Sequence, residues 1–316
     1  MAVTTYWSPN QAAIAQVRSY LFTVPNGVGN TYSATLNGKT VTYSSVSGDT
    51  AATVATGLFN LLNVSTSIPA EFTEITWANP STAVMTATAS TPGTPFAGVA
   101  GTSAGLVLST GNGLANGITT TETTASKSPS DVNDAQNWLR VDFGTTPPNK
   151  TRSLPINTDD VVVANSNVSL LWNLDQLAAV QFATYKRLQS FTASIGLPEN
   201  NPGGYSEWRA TYFKFAGPQG SVPAGGLVMT LGEGAGSGPS RERYDVGSQP
   251  TTLNILAAGS PTDTYGVRFL GVHSANTFTV LGGVSLGVAM LPGEKATLTT
   301  STIDGGADLG IGQQVT

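Results

Sequence analysis

Apolar and polar positions follow one pattern in the first hundred residues and another in the second half of the chain. Ile14, Val17, Tyr20, Phe22 and Val24 predict a strand beginning near Gln16. Ser8-Pro9 offers the alternative of a short helix, since proline is tolerated at a first helical position. Thr31–Leu36 and Thr40–Ser45 alternate apolar and polar residues on either side of Asn37-Gly38-Lys39. An Asn-Gly pair accepts positive φ, so this is a hairpin with a tight turn. Val54, Leu58, Leu61 and Leu62 then recur at helical spacing, predicting a helix over Thr50–Asn63 capped by Asp49, with Gly57 as a local weakness. Phe72–Trp77 and Ala83–Ala89 make a second strand pair across Asn79-Pro80-Ser81. The order β-β-β-α-β-β predicts one sheet covered by one helix.

Residues 97–130 are rich in Gly, Ser, Thr and Ala, with one short apolar run at Leu106–Leu108. That composition predicts a linker or a β-ribbon between two domains. Asp131–Trp138 reads as a helical turn, with Trp138 as an anchor. Beyond it, short apolar runs recur: Val161–Val163, Val168–Trp172, Val180–Phe182, Phe191–Ile195, Thr211–Phe215, Leu227–Leu231, Leu253–Leu256, Val267–Leu270, Phe278–Leu281 and Val284–Met290. Short strands punctuated by turn residues indicate an all-β domain. The expected class is therefore mainly β, with an α+β docking domain over 1–96, the segment 97–130, and a β-solenoid or β-sandwich over 131–316. Few helical periods follow Leu177, and Gly282-Gly283 and Gly305-Gly306 suit tight corners, which favours the solenoid. No strict repeat length emerges.

Composition narrows the chemistry. The chain has no Cys, one His, 14 basic and 19 acidic residues, and only 10% charged residues against an average near 25%. Proton transfer, metal binding and nucleophilic attack need titratable groups, so no enzyme activity and no cofactor is expected. A surface poor in charge suits packing against many copies of the same chain. The net charge of −5 argues against binding a phosphate backbone. Lys186-Arg187 and Arg241/Arg243 read as solvated charges or local ion pairs. The opening residues predict no secretory signal, and no apolar run reaches the length of a membrane helix. Without a signal, the sequons at Asn63-Val-Ser65 and Asn167-Val-Ser169 are chance matches.

Each candidate site has a plain alternative. His273 stands alone, and one histidine makes no zinc site. Asp159-Asp160 and Asp175 are the acids that a glycan-cleaving β-helix would use, whereas adjacent Asp residues at the start of a strand ordinarily cap a turn. Glu71 and Glu74 read as solvent-facing. Gly232-Glu233-Gly234-Ala235-Gly236-Ser237-Gly238 lacks the strand-loop-helix context of a phosphate cradle. Tyr205, Trp208 and Tyr212 follow a Pro/Gly-rich loop and mark a candidate glycan or subunit contact. Together with Trp138, Trp172 and Phe213 they are better explained as aromatics packed in the core or between subunits.

Two stretches carry a resemblance. Thr31–Ser45, then Gly48-Asp49-Thr50-Ala51-Ala52-Thr53-Val54-Ala55, then Ala83–Ala89 with Thr91-Pro92-Gly93-Thr94-Pro95-Phe96, are similar to a small domain common in tailed-phage particle proteins. Ser128–Trp138 followed by Asp159-Asp160-Val161 resembles uncharacterised phage and prophage proteins with a β-rich, solenoid-like body. The resemblance implies a virion component assembled in the host cytoplasm, and it transfers no catalytic residue. The expected function is a structural part of a particle exterior, as head decoration, tail or fibre. Expected partners are copies of itself and other virion proteins, with a host surface glycan as a further candidate, and neither nucleic acid nor membrane. A tail-spike that binds or cleaves glycan and a bacterial surface-layer or adhesin subunit are the alternatives.

Overall fold

Strands of alternating burial dominate a chain with one α-helix among the residues described. The computed structural model describes residues 3–23, 28–63, 67–81, 83–97, 105–111, 117–156, 159–174, 182–215, 226–232, 234–236, 240–256, 265–281, 285–304, 307–312 and 314–316. Val24, Val64, Ser65, Asp175, Val180, Val284 and the glycine pairs 282–283 and 305–306, all used in the sequence reading, lie outside those ranges. The protein is mainly β, as its sequence predicts. It divides into two compact units, and these are interleaved along the chain. The larger holds Met1–Gln11, Pro129–Pro198 and Ala210–Thr316, and the smaller holds Ala12–Ser128 and Glu199–Arg209. The sequence reading placed its divisions at residues 96 and 130. The difference comes from long-range pairing: β1 (Val3–Trp7) belongs to a sheet of the larger unit.

In the smaller unit, β2 (Val17–Phe22), β3 (Thr31–Leu36), β4 (Lys39–Ser44), β5 (Ile75–Ser81), β6 (Val84–Ala89), β7 (Val107–Thr110) and β8 (Ile118–Thr124) form two antiparallel sheets. Their orders are β5-β6-β2-β8 and β4-β3-β7. The predicted single sheet is thus two, and the segment 97–130, expected as a linker or a β-ribbon, contributes a strand to each. β8 reads as linker because its sequence is nearly all threonine; it is an edge strand whose order comes from pairing with β2. The hairpin turn holds Asn37 and Gly38 at φ 52° and 71°, as an Asn-Gly turn requires.

Helix α1 (Ala51–Asn63) buries Val54, Ala55, Leu58 and Leu62, while Leu61 is left largely exposed. Its cap differs from expectation by one residue. Thr50 Oγ1 accepts the Thr53 amide at 3.3 Å, and the Thr53 hydroxyl accepts the Thr50 amide at 2.8 Å. Asp49 supports this cap from outside, accepting the Thr53 hydroxyl at 2.8 Å, the Val46 amide at 2.8 Å and the Tyr43 hydroxyl at 2.9 Å. Those hydrogen bonds, the Val46 amide foremost, hold its carboxyl below the usual range. Phe72 lies in a 3-10 turn, Ala70–Glu74, and the strand expected from Phe72 starts only at Ile75.

In the larger unit, β1 pairs antiparallel with β9 (Trp138–Asp142), which pairs with β10 (Asn149–Arg152). On its other side β1 runs parallel to β11 (Asp160–Val163). The chain continues through β12 (Thr184–Arg187), β13 (Phe213–Lys214), β14 (Leu227–Leu231), β15 (Glu242–Asp245), β16 (Thr251–Ile255), β17 (Val267–Leu270), β18 (Thr277–Val280), β19 (Ser285–Val288), β20 (Thr300–Ile303) and β21 (Asp308–Ile311). One sheet has the order β10-β9-β1-β11-β12-β14-β16-β18-β20, and the other β13-β15-β17-β19-β21. From β12 onward successive strands alternate between the two, and every pairing is parallel.

Side chains stack along these sheets. Val161, Tyr185, Met229, Leu253 and Phe278 occupy successive strands at one inward position. Phe213, Tyr244 and Phe269 do the same in the second sheet, and Tyr185 meets Tyr244 at 5.5 Å between ring centroids. Trp138 is fully buried, packed edge-on to Trp7 at 5.0 Å, and so acts as the predicted anchor. A 3-10 turn, Ala135–Asn137, capped by Asp134, delivers it.

Candidate functional site

The charged residues bearing on the sequence candidates are held in structural contacts. Asp159 is 2% exposed and accepts the Thr5 hydroxyl at 2.7 Å, Arg140 Nε at 3.1 Å and the Ile156 amide at 3.1 Å. Asp160 accepts the Thr184 hydroxyl at 2.6 Å, one strand away. These are turn-capping and rung-stacking contacts, and Asp175 lies outside the described residues. His273 Nδ1 accepts the Ala275 amide at 3.0 Å, closing a turn.

Several charges expected in solvent are buried. Glu71 is 3% exposed and accepts Asn37 Nδ2 at 3.2 Å. Glu74 pairs with Arg209, which also bonds Glu207 Oε1 at 3.1 Å and the Pro95 carbonyl at 2.8 Å. The Arg209 guanidinium covers the Trp208 ring at 4.0 Å. Trp208 therefore packs within the smaller unit, with Tyr205 half-buried nearby in sequence. Tyr212 belongs to the larger unit and is 6% exposed, so it offers no open contact surface. The structure does not bring these three aromatics into one unit.

Arg187 and Arg243 are each 1% exposed, so the solvated-charge reading fails for both, while the ion-pair reading holds for Arg187. Arg187 Nε lies 2.7 Å from Glu242 Oε1 inside the larger unit, between β12 and β15. Tyr244 donates to Glu242 Oε2 at 2.8 Å, and the Gly236 amide to Oε1 at 3.2 Å. Arg187 Nη2 donates to the Gly234 carbonyl at 3.0 Å. The glycine-rich loop thus binds a carboxylate of its own chain, with Glu233 and residues 237–239 outside the described residues. Burial pushes the Glu242 carboxyl up, and the Arg187 guanidinium opposes this. Sequence reasoning missed this cluster, because its members sit in strands with little apolar signal. Asp131 is a further buried acid, bonded to the Asn133 amide at 2.8 Å and Asn173 Nδ2 at 2.6 Å. Burial raises its pKa to about 6.

The grooves show the same economy. One of about 570 Å³ is lined by Tyr6, Leu139, Val141, Phe143, Pro147, Pro148 and Lys150, with no carboxylate. Another, of about 430 Å³, holds Asp245 and Glu294. Each of those caps a turn, accepting the Gly247 amide at 2.9 Å and the Leu291 amide at 2.8 Å.

A broad, weakly charged surface remains as the candidate site. Burial alternates along β11, β12, β14, β16 and β18 of the nine-stranded sheet, so outward positions are read directly from register. Thr184, Val228, Thr252, Thr277 and Thr300 form one outward row, and Lys186, Thr230, Asn254, Thr279 and Thr302 the next. Thr277 and Thr252 are bonded through their hydroxyls at 3.3 Å across 25 residues of sequence. Across these five strands Lys186 is the single charge of the two rows, and on β11 the first row continues to Asp160. Such a surface can pack against a protein with little desolvation of charge. No known protein family, curated protein or solved structure matches this chain.

Proposed function

We propose that the protein is a non-enzymatic structural component of the exterior of a tailed-phage particle, held there by contacts between copies and with neighbouring virion proteins. In this reading the larger unit is a β-solenoid of uneven turns, 24 or 25 residues long where Thr184 meets Asp160 and Thr277 meets Thr252, and longer or shorter elsewhere. The observation that carries the proposal is the pair of outward threonine-rich rows with one lysine among ten residues. A catalytic surface needs convergent titratable groups; a packing surface needs extent, regularity and low desolvation cost. Repetition across many copies turns individually weak contacts into avidity. The resemblance of the Asn-Gly hairpin, its helix and the strand after it to phage particle domains points the same way.

The test is direct. Particles purified from a host carrying the gene are expected to contain the chain by peptide mass spectrometry. An antibody raised against it is expected to decorate them at symmetric positions in electron micrographs. Particles that form, infect and lack the chain would overturn the proposal.

A further inference from the structure

We propose that the larger unit binds an acidic oligosaccharide, a chain of sugar rings bearing carboxylates, in a trough across the outward faces of β1 and β9. This goes beyond assembly and does not rest on it, since the trough belongs to a single chain.

The trough is built from register. Leu139 lies opposite Tyr6 in the antiparallel pair, Arg152 follows on β10, and Val162 and Lys186 follow on β11 and β12. The neighbouring row runs Lys150, Val141, Thr4, Asp160 and Thr184. Two grooves meet on this face. The first, of about 570 Å³, lies toward the β9–β10 hairpin, where Phe143 is 42% exposed, and includes Lys150. The second, of about 410 Å³, lies toward the other end of β1 and includes Ser8, Asn165 and Asn167. Tyr6 and Leu139 line both, so the grooves adjoin. Every residue lining them is among the described residues and belongs to the larger unit.

The chemistry of the lining selects the occupant. The first groove is apolar and aromatic, which suits the C–H faces of sugar rings. The second offers side-chain amides and a hydroxyl to the hydroxyl groups of those rings. Asn165 and Asn167 are exposed, and among the described residues their side chains make no hydrogen bond. Charge narrows the class further. Lys150, Arg152 and Lys186 have no ion-pair partner among the described residues, and the Arg152 guanidinium donates only to the Ser8 and Gln136 carbonyls. The acid on the same face is Asp160, which accepts the Thr184 hydroxyl at 2.6 Å. Cations therefore outnumber the acid, a local excess in a chain of net charge −5. Four strand spacings separate β10 from β12, which sets Lys150 and Lys186 about 19 Å apart across the sheet. A plain apolar ligand would use only the first groove, and a small anion only one lysine. A chain of acidic sugars uses the aromatic floor, the amides and both lysines together. Neither groove is lined by a carboxylate, whereas cleavage of a glycosidic bond ordinarily uses a pair, so the sugar is held intact.

Calorimetric titration of the purified full chain with oligogalacturonate, oligomannuronate and hyaluronan oligosaccharides tests the trough. At least one is expected to bind saturably at one site, with a dissociation constant of about 1 mM or tighter. Methyl esterification keeps the rings and removes the charge, and is expected to weaken binding about tenfold. Poly-glutamate keeps the charge and lacks the rings, and is expected to bind at least about tenfold more weakly than the sugar. Lys150→Gln and Lys186→Gln are each expected to weaken binding about fivefold, and Tyr6→Ala about tenfold. Lys39→Gln, on the smaller unit, is expected to leave it unchanged. Circular dichroism establishes that Tyr6→Ala folds, and the exposed lysine variants decide alone if it does not. The proposal is overturned if none of the three sugars binds, or if the esterified sugar or poly-glutamate binds as tightly. It is equally overturned if neither lysine variant weakens binding, if Lys39→Gln weakens it as much, or if the bound sugar acquires new reducing ends.

Discussion

At the residue scale, the few charges of this chain are spent on holding strands in place. The buried Arg187–Glu242 pair joins the two sheets of the larger unit at positions where neighbouring strands carry Leu231, Ile255 and Val267. Removing one member leaves an uncompensated charge in an apolar stack, which costs about 3–5 kcal/mol. Removing both leaves hydrophobic packing. We therefore expect Arg187→Met and Glu242→Leu each to lower unfolding stability by that amount. The double variant is expected to fall well short of the sum, with a coupling of about 1–3 kcal/mol in a urea-denaturation cycle. Additive losses would show that the pair does not act as a unit. An ion pair was one of the two readings of Arg187, but its partner was not legible: Arg187 and Glu242 lie 55 places apart, in segments whose polar composition resembles an exposed surface.

At the scale of elements, legibility followed side-chain chemistry. β3, β4 and β14 alternate apolar and polar residues plainly, and the Asn-Gly turn announces its own geometry. β10, β12, β15 and β20 contain Asn, Lys, Arg, Asp, Ser and Thr in place of an apolar run, so they are strands only by virtue of their neighbours. Gly57 shows how a local rule is overridden by packing. In an isolated helix, replacing glycine by alanine stabilises by about 1 kcal/mol. Here a Cβ at position 57 would lie 2.3 Å from Tyr43 Cε2, because the helix packs on β4 through this glycine. Gly57→Ala is therefore expected to destabilise the smaller unit by about 1–3 kcal/mol, the usual cost of overpacking. Gly57→Ala in a Tyr43→Leu background is expected to recover most of it. A raised melting temperature for Gly57→Ala alone would contradict the close approach of helix and strand.

At the scale of the whole molecule, the parallel strand pairing was hidden by uneven spacing. Side-chain bonds between adjacent parallel strands span 24 residues at Asp160–Thr184 and 25 at Thr252–Thr277, yet β12 pairs with β14 across an interval that includes Glu199–Arg209 of the smaller unit. Pairing of Val267 with Leu286 shortens a later turn. No fixed period survives such changes, although β11, β12, β14, β16 and β18 share one inward–outward alternation. The N-terminal strand was hidden for a different reason: Val3–Trp7 is too short to declare its partner, and its neighbours β9 and β11 lie beyond the whole first excursion of the chain. That connectivity makes a distinctive prediction. Trp7 is 2% exposed, packs on Trp138 and donates to the Val168 carbonyl at 3.1 Å. Trp7→Ala is expected to cost about 3–5 kcal/mol, and the loss should fall on the larger unit. Hydrogen exchange read by mass spectrometry would show amides of β9 and β11 losing protection while those of β3, β4 and α1 keep theirs. If residues 1–96 instead form one cooperative domain, the protection lost would be that of the hairpin and helix, and the pairing of β1 with β9 and β11 would be refuted.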